Sequence, residues 1–291
     1  MALDVRVIQR ERLRNFERRQ IEIRVHADEW MAAYLCVPRR TLAGRPAVVC
    51  LPYTHERTHE IIAGLDGMVP EAYGARLATA GFVTLCPNHF VQGEREPKDG
   101  AFITREFYRK YPKWSAVGKA IWDNRRCLDY LASLPFVNAK RIGCMGHSLG
   151  AHSAVFLAAM DERVRCIVSN CGISSFRCNP NRCQWSRDGW YIYLPTLRAL
   201  FLKGKLPNWD MHEIGASLAP RPWLDISSLS DTTFADAEHL PGMYTRVHEV
   251  YRLLRAADRF AFYTHGEPHG VFEHSYVLAE AWLKRWLSAD H

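Results

Sequence analysis

The stretch "RIGCMGHSLGAHSAVFLAAM", residues 141–160, combines three patterns that together decide the fold. "RIGCM" is a short apolar run, which is typical of a strand buried on both faces. "AHSAVFLAAM" is rich in small and apolar residues and predicts a helix. Between them, "GHSLG" (146–150) matches the pattern G-x-S-x-G, whose meaning depends on this strand–turn–helix setting. The stretch therefore predicts a serine at a sharp turn between a buried strand and a helix.

The two glycines of this turn have a steric explanation. A serine in a strained backbone conformation at so sharp a turn leaves no room for side chains two positions before and after it, so Gly146 and Gly150 are required there. The turn lifts the Ser148 hydroxyl clear of the sheet, and the following helix points its first amides toward the same place. Ser148 is therefore the candidate nucleophile, and the alternative is a glycine-rich turn with an incidental serine.

Strands and helices alternate along the chain on both sides of this turn. Apolar and alternating runs predict strands, and amphipathic spacing predicts helices. The strands are expected at 21–25, 31–38, 47–52, 82–87, 141–145 and 164–170, and one more within each of 221–231 and 259–270, where the strand ends in polar residues. The helices are expected at 70–81, 116–134, 151–160, 243–257 and 275–288. This alternation is typical of βαβ units and predicts a mostly parallel sheet covered by helices on both faces.

Two segments depart from this alternation. Residues 172–219 are rich in Trp, Tyr, Pro and Arg and contain no buried strand pattern. We expect them to form a cap-like insertion over the carboxyl ends of the strands, where open α/β sheets bind ligands. Residues 1–20 are charged and predict a basic helical segment, which either packs on the body or pairs with a second subunit in a homo-oligomer.

The composition is that of one globular domain. The chain has 291 residues, of which 48% are hydrophobic and 24% charged, and we expect residues 1–291 to form a single domain. The first 20 residues lack the apolar core of a secretion signal, and no run of 18 apolar residues predicts a membrane span. The net charge of +7 is dispersed, which favours a solvated basic surface over a nucleic-acid site.

The nine cysteines favour reduced thiols in a cytoplasmic protein, because they are scattered and several lie in strand-like runs. Cys171, Cys178 and Cys183 are closer together, but their spacing lacks the paired C-x2-C that is typical of zinc sites. The sequence therefore predicts no metal and no cofactor.

These patterns resemble the α/β-hydrolase superfamily, and more narrowly its dienelactone-hydrolase and acetyl-xylan-esterase-like branch of bacterial esterases. The resemblance covers about residues 21–288 and is most specific in "WDNRRCLDYLASLPFVNAKRIGCMGHSLGAHSA", "LAPRPWLDISSLSDTTF" and "HGVFEHSYVLAEAWLKRWL". It implies an α/β-hydrolase fold with an inserted cap segment. Dienelactone hydrolases use a cysteine nucleophile, whereas this turn carries Ser148, which favours ordinary ester chemistry.

A serine nucleophile needs an imidazole to remove its proton, and that imidazole needs a carboxylate to orient it. The resemblance implies the chain order Ser, acid, His. Asp231 stands where the family places its acid, after the strand "PWLDISS". Asp225 is the rival, although it lies inside that strand and should face a helix layer. Asp236 and Glu238 are further candidates in the loop beyond.

Three histidines in "YTHGEPHGVFEH" are candidates for the base. His269 matches the family's catalytic histidine, which lies in a loop after the last strand. We expect His265 at the strand end in a structural role and His274 at the start of the final helix. His147 is fixed beside the nucleophile and is predicted to line the substrate pocket.

The loop "PYTHERTHE" (52–60) follows a buried strand. In the family this loop supplies one hydrogen-bond donor of the oxyanion hole, and the backbone N–H of the residue after the nucleophile, here Leu149, supplies the other. Relatives mostly carry His-Gly here, whereas this chain has Pro52-Tyr53. Either the backbone N–H of Tyr53 or Thr54 donates, or the Tyr53 hydroxyl does. The alternative is a tyrosine of the core or the rim.

The same loop contains His55-Glu56-Arg57-Thr58-His59, a match to H-E-x-x-H. On a helix this spacing presents two imidazoles to zinc, with the glutamate as base. Here a proline and a buried strand precede the motif, and "GLDG" breaks the helical pattern soon after it, so we interpret the match as coincidence. A zinc metallohydrolase on His55 and His59 remains the alternative hypothesis.

The sequence thus predicts a serine hydrolase that cleaves small-molecule carboxylic esters through an acyl-enzyme, with no nucleic-acid or membrane partner. Thr54 and His147 are predicted to shape the substrate pocket, together with four aromatic residues of the insertion, namely Trp185, Trp190, Tyr191 and Tyr193. These four aromatic residues would serve equally well as core packing of the insertion. A thioesterase, amidase or peptidase would use the same residues, and a non-catalytic binding module is the remaining hypothesis.

Overall fold

The computed structural model of the protein describes residues 2–40, 43–186 and 191–288. Within these ranges one sheet contains nine strands. The strands are β1 (Val5–Arg12), β2 (Phe16–His26), β3 (Glu29–Pro38), β4 (Arg45–Leu51), β5 (Val83–Pro87), β6 (Val137–His147), β7 (Val164–Asn170), β8 (Trp223–Ser228) and β9 (Phe260–His265). Their spatial order is β1-β2-β3-β5-β4-β6-β7-β8-β9.

The sheet is mostly parallel. β5, β4, β6, β7, β8 and β9 run in the same direction, and β1, β2 and β3 form an antiparallel extension at one edge. The apolar runs of the central strands are buried on both faces, as expected when helices cover both sides of a parallel sheet. The predicted α/β-hydrolase fold class is confirmed.

Helices form a layer on each face of this sheet. They are α1 (Thr58–Ile62), α2 (Tyr73–Thr79), α3 (Arg105–Lys110), α4 (Ala116–Ser133), α5 (Leu149–Met160), α6 (Pro195–Phe201), α7 (Met211–Ala216), α8 (Leu240–Leu253) and α9 (Glu273–Leu287). One hydrophobic core includes Leu128 of α4 and Val155 of α5, and the other includes Leu77 of α2 and Leu283 of α9. No helix of the described residues is both long and apolar enough to span a bilayer.

The prediction of a helical segment at residues 1–20 is wrong, because this region forms β1 and the first part of β2. β2 buries Ile21, Ile23 and Val25 against one core, with less buried residues between them. This alternation has the period of a strand. The density of charge around it reflects the exposed side of an edge hairpin, since β1 is almost entirely exposed.

The connectivity brings two turns side by side. β4 is flanked by β5 on one side and β6 on the other, so the chain order reverses direction across the sheet at β4. Such a reversal opens a crevice at the carboxyl ends of the strands. The loop after β4 and the turn after β6 both lie at this crevice. The segment between β7 and β8, which contains α6 and α7, also leaves the sheet at this end.

Candidate active site

Ser148 is the turn residue between β6, which ends at His147, and α5, which begins at Leu149. Its backbone has φ 52° and ψ −118°, a conformation that residues with side chains rarely adopt. The N–H of Ser148 donates to the carbonyl of Asn170 on the neighbouring strand at 2.9 Å, which anchors the turn to the sheet. The strained serine predicted from the motif is therefore present.

The space around the turn requires glycine. A Cβ at Gly146 would lie within 3.0 Å of the Gly150 backbone, and one at Gly150 within 3.0 Å of the carbonyl oxygen of Leu51. Gly172 has the same role from the other side, because its Cβ would meet the carbonyl oxygen of Ser148. The sequence predicted the first two requirements; the third involves a residue 24 positions away, and only the packing of α5 against the chain after β7 reveals it.

His269 and Asp231 form a hydrogen-bonded pair, with His269 Nδ1 at 2.7 Å from Asp231 Oδ2. The other oxygen of Asp231 accepts from the amides of Thr233 at 2.7 Å and Phe234 at 2.9 Å. Burial pushes the pKa of Asp231 upward, but the bond from His269 and these amides outweigh it and hold the pKa below its usual 3.8. The carboxylate is thus ionised and held in one orientation.

Ser148 and His269 border the same cavity, of about 430 Å³. The Asp231 side chain is 3% exposed, whereas that of His269 is 22% exposed, so the imidazole reaches the cavity while its carboxylate partner stays behind it. With its Nδ1 proton donated to Asp231, the His269 ring has Nε2 left to accept a proton. Ser148 and His269 thus border one cavity, and Asp231 lies behind His269 and is bonded to it.

Asp225 lies in the protein interior and is fully buried. Its carboxylate accepts from the hydroxyls of Ser169, Ser227 and Tyr244, and Tyr244 belongs to α8, so Asp225 faces a helix layer as predicted. Burial, only partly opposed by these hydroxyls, raises the pKa of Asp225. It has no contact with His269 in the described structure and is a structural carboxylate.

The two weaker acid candidates also lie apart from His269. Asp236 is buried and accepts from the Ser174 hydroxyl at 2.9 Å and the Ser175 amide at 2.6 Å, and burial raises its pKa to about 6. Glu238 is exposed, and its Oε1 lies 3.3 Å from His239 Nε2.

Of the other histidines near the chain's end, His265 is the last residue of β9, as predicted, and His274 lies in the first turn of α9. Their rings are 5.1 Å apart, centroid to centroid. Neither borders the cavity that contains Ser148. Of the three histidines of this region, His269 is the one that borders the cavity with Ser148.

His147 borders the cavity beside the nucleophile, as predicted. Its Nδ1 lies 2.8 Å from the Asn170 side-chain nitrogen and 3.2 Å from the Asn170 carbonyl oxygen. Burial, and then the neighbouring His269, lower the pKa of His147 to about 3. This ring is therefore neutral at physiological pH and adds no positive charge next to His269.

The loop after β4 contributes Tyr53 and Thr54 to the cavity wall, which also includes Leu149. Leu149 is the first residue of α5, so its N–H has no carbonyl partner within the helix. Burial, and then the charges of Glu71 and Asp66, raise the pKa of Tyr53 to about 12. The Tyr53 hydroxyl consequently keeps its proton and can donate a hydrogen bond.

The prediction that Trp185 lines the substrate pocket is wrong. Trp185 is 2% exposed and lies behind the cavity wall, where its ring is 4.6 Å from His152 and 5.3 Å from Tyr193. Those two residues border the cavity in its place. Trp190 lies outside the described residues.

Sequence reasoning missed several cavity residues, namely Glu71, His152, Thr233, Phe234, Gly270 and Val271. A signal existed for His152, because it follows the nucleophile by four residues on a helix and therefore lies on the same side one turn later. Tyr193 borders the cavity, as predicted for the aromatic residues of the insertion. Tyr191 does not border it: this side chain is 1% exposed, and its hydroxyl lies 2.9 Å from His89 Nε2.

The H-E-x-x-H match does not form a zincin site. α1 begins only at Thr58, so His55 precedes the helix, and its Nδ1 accepts from the Arg57 amide at 3.2 Å. His59 is buried, with Nε2 at 3.7 Å from Glu94 Oε1. His59, Glu60 and Glu94 could together approach a cation, but His55 is not part of that group. The two histidines therefore do not share the helix face that zinc requires.

All nine cysteines are free, and Cys178 and Cys183 are exposed. Cys171 is buried beside the triad, within 4.8 Å of ligand atoms of Asp231 and His269. Burial raises the pKa of Cys171 to about 12, so it is a protonated thiol and a poor nucleophile. It does not compete with Ser148.

The model of the dienelactone hydrolase family matches residues 31–183, which is more than half of the chain. Among curated proteins, YtaP of Bacillus subtilis (strain 168), whose name assigns it only provisionally as a hydrolase, is 27% identical over 275 residues. The match covers 90% of this chain and 86% of YtaP.

Solved structures of esterases share the fold at low sequence identity. A glucuronoyl esterase from Solibacter usitatus superposes with a TM-score of 0.76 at 18% identity, covering 99% of this chain and 86% of that one. A structure from Bacteroides fragilis NCTC 9343, assigned provisionally as an acetyl xylan esterase, gives a TM-score of 0.72 at 18% identity and covers 90% and 70%.

Proposed function

The chain belongs to the dienelactone hydrolase family and is a hydrolase of carboxylic esters, and we propose that Ser148, His269 and Asp231 are its catalytic triad. A lactone is a cyclic carboxylic ester, so the family's reaction and the predicted chemistry are of one class. The observation that carries the proposal is geometric. The imidazole of the His269–Asp231 pair opens onto the same cavity as a serine held in a strained turn.

In the acylation step, the Ser148 hydroxyl oxygen attacks the carbonyl carbon of the ester while His269 Nε2 takes its proton. Asp231 holds the other ring nitrogen, Nδ1, and stabilises the imidazolium that forms. The tetrahedral intermediate then expels the alcohol, which receives the proton from His269. This leaves the acyl group on Ser148.

The developing oxyanion needs donors that are fixed before the reaction. We assign these donors to the N–H of Leu149 and to Tyr53, through its hydroxyl or its backbone N–H. Both residues border the cavity at the serine. The backbone of Tyr53 is held in place because its carbonyl accepts from the Thr58 hydroxyl at 2.8 Å.

Deacylation reverses these roles. A water molecule in the cavity attacks the acyl carbon, and His269 first takes a proton from that water and then returns it to Ser148. The product acid leaves, and the enzyme is restored. The neutral state of His147 next to His269 lets the imidazolium form without repulsion from a second charge.

The direct test is labelling with a fluorophosphonate probe, combined with hydrolysis of 4-nitrophenyl esters. We expect Ser148→Ala to abolish labelling and to lower kcat at least about 10⁴-fold. Ser217→Ala is the matched control, because Ser217 is an exposed serine at the end of α7. Labelling that persists in the Ser148 variant would reject this nucleophile.

We propose further that the protein works in a reducing compartment, namely the cytoplasm. Seven of the nine free cysteines are buried and two are exposed, at positions 178 and 183. A thiol reagent should therefore modify two cysteines in the native protein and nine after unfolding in protein isolated without oxidants. Fewer than nine reactive thiols after unfolding would indicate disulfides and contradict this assignment.

A further inference from the structure

His152 lies one turn along α5 from the nucleophile and borders the catalytic cavity. It is 3% exposed and surrounded by aromatic rings: its ring centroid is 4.6 Å from that of Trp185 and 5.4 Å from that of Tyr193. The proposed acylation and deacylation steps make no use of it. A polar side chain so deeply placed at the edge of a substrate cavity requires a separate explanation.

Neither ring nitrogen of His152 makes a hydrogen bond with the described residues. Buried polar groups are nearly always paired, and an unpaired one costs free energy that a bound ligand recovers. Burial lowers the pKa of His152 to about 3, so the ring is neutral at physiological pH and offers one N–H donor and one lone pair.

One of the two ring nitrogens of this neutral imidazole carries a lone pair with no partner among the described residues. A hydrogen-bond donor on a ligand would complete the site by donating to that nitrogen.

The charge of the cavity restricts the ligand further. No lysine or arginine is among the described residues that line it, whereas Glu71 is, despite the net charge of +7 of the whole chain. An anionic substrate would find no counter-charge here. A neutral hydroxyl can donate to His152 and also replace a water molecule at little cost.

We propose that His152 is a specificity-determining residue that accepts a hydrogen bond from a hydroxyl group of a neutral ester substrate. This inference rests on the proposed function, because it concerns the cavity in which Ser148 acts. The hydroxyl belongs either to the acyl group or to the alcohol of the ester.

Matched ester pairs test this in two arms. The acyl arm compares 4-nitrophenyl butyrate with its 2-hydroxy and 3-hydroxy analogues, and the alcohol arm compares propyl butyrate with 2,3-dihydroxypropyl butyrate, followed by acid release. In the wild type we expect kcat/KM for a hydroxylated ester to exceed that for its partner by about tenfold, the value of one hydrogen bond of about 1.4 kcal/mol.

In His152→Phe, which keeps an aromatic ring but has no acceptor, this ratio should fall to about one. In His152→Asn, whose side-chain carbonyl can accept, part of the preference should return. The readout is the ratio of kcat/KM for the hydroxylated ester to kcat/KM for its partner, measured within each variant. A general loss of packing lowers kcat/KM for both esters alike. The difference in intrinsic reactivity between the two esters is the same for every variant and therefore cancels when variants are compared. Equal ratios in the wild type and His152→Phe, or a wild type without preference in either arm, would overturn the inference.

Failure of the catalytic proposal gives a different result. If Ser148 is not the nucleophile, Ser148→Ala hydrolyses both members of each pair, whatever the ratios at position 152. If only the inference about His152 fails, Ser148→Ala is inactive on every ester, and the ratios do not depend on residue 152.

Discussion

Two of the histidine–carboxylate pairs in the described part of the chain, His269–Asp231 and His59–Glu94, are built in opposite ways. In the His269–Asp231 pair the carboxylate is 3% exposed and the imidazole 22% exposed, and the two atoms in contact are 2.7 Å apart. In the His59–Glu94 pair the imidazole is 3% exposed and the carboxylate 52% exposed, at a separation of 3.7 Å.

The difference shows which arrangement suits a general base. A base must reach the substrate, while the group that orients it must stay fixed and out of water. His269 meets both conditions, because amides of the chain also hold Asp231. His59 meets neither, since its ring packs 5.6 Å from that of Tyr34 and only Glu94 reaches solvent. The second pair therefore has a structural role.

The largest expected effect separates the two histidines. His269→Ala should lower kcat for 4-nitrophenyl esters by about 10⁴-fold or more, because it removes the imidazole that we propose takes the proton from Ser148. His59→Ala should keep activity within about tenfold but lower the free energy of unfolding by ~1–3 kcal/mol, because it removes a buried ring. The two measurements are steady-state kinetics and urea unfolding.

A loss of activity in folded His59→Ala as large as that in His269→Ala would break the comparison. It would place His59 in the reaction and revive the interpretation of the H-E-x-x-H motif as catalytic.

Substituting the carboxylates of the two pairs should give a slightly smaller difference in kcat. Asp231→Asn preserves the shape of the triad but replaces a charged acceptor of the His269 proton with an amide, so kcat should fall by about 10³- to 10⁴-fold. Glu94→Gln should change kcat by less than about threefold, since it lies on the exposed side of a structural pair. Kinetics at pH 7.5 would check both, and near-wild-type activity in Asp231→Asn would show that another acid orients His269.

A weaker effect concerns acid stability. The neighbouring His59, opposed by burial, lowers the pKa of Glu94 from 4.5 to about 2. A carboxyl with a lowered folded-state pKa stabilises the fold above its unfolded pKa and loses this contribution as the pH falls toward the folded value. Glu94→Gln should therefore be less stable than the wild type at pH 7, and the two unfolding free energies should converge between pH 4.5 and 2.

Urea unfolding across this pH range is the measurement. Because Glu94 is half exposed, the difference at pH 7 should be small. A difference that grows as the pH falls would contradict the direction of the pKa shift.

The smallest expected effect is that of a chelator. Since His55 and His59 do not share a helix face, we expect prolonged dialysis against EDTA to leave kcat/KM unchanged. Added Zn²⁺ should likewise not raise it. Activity that is lost in the chelator and restored by zinc would support a metallohydrolase and sharpen the role of the His59, Glu60 and Glu94 group.

Several of these features could be predicted from the residues alone, since the requirements involved are local. The strained Ser148 and its two flanking glycines follow from sterics within five residues, and apolar runs predicted the central strands. Asp231 and His269 followed from chain order and family resemblance. The strand at 21–25 was predicted, but β1 and the first part of β2 were missed, because β1 is almost entirely exposed and its charged residues give no sustained apolar alternation.

What the sequence by itself determined is the turn at Ser148, because neighbouring residues alone decide whether the backbone can adopt that conformation. The tertiary structure decided which side chains meet there. Asp231 and His269 are 38 residues apart, and their contact depends on β8 and β9 being adjacent in the sheet. His152 and Tyr193 reach the cavity because α5 and the insertion pack against each other. That packing depends on the whole core, which no short sequence pattern encodes.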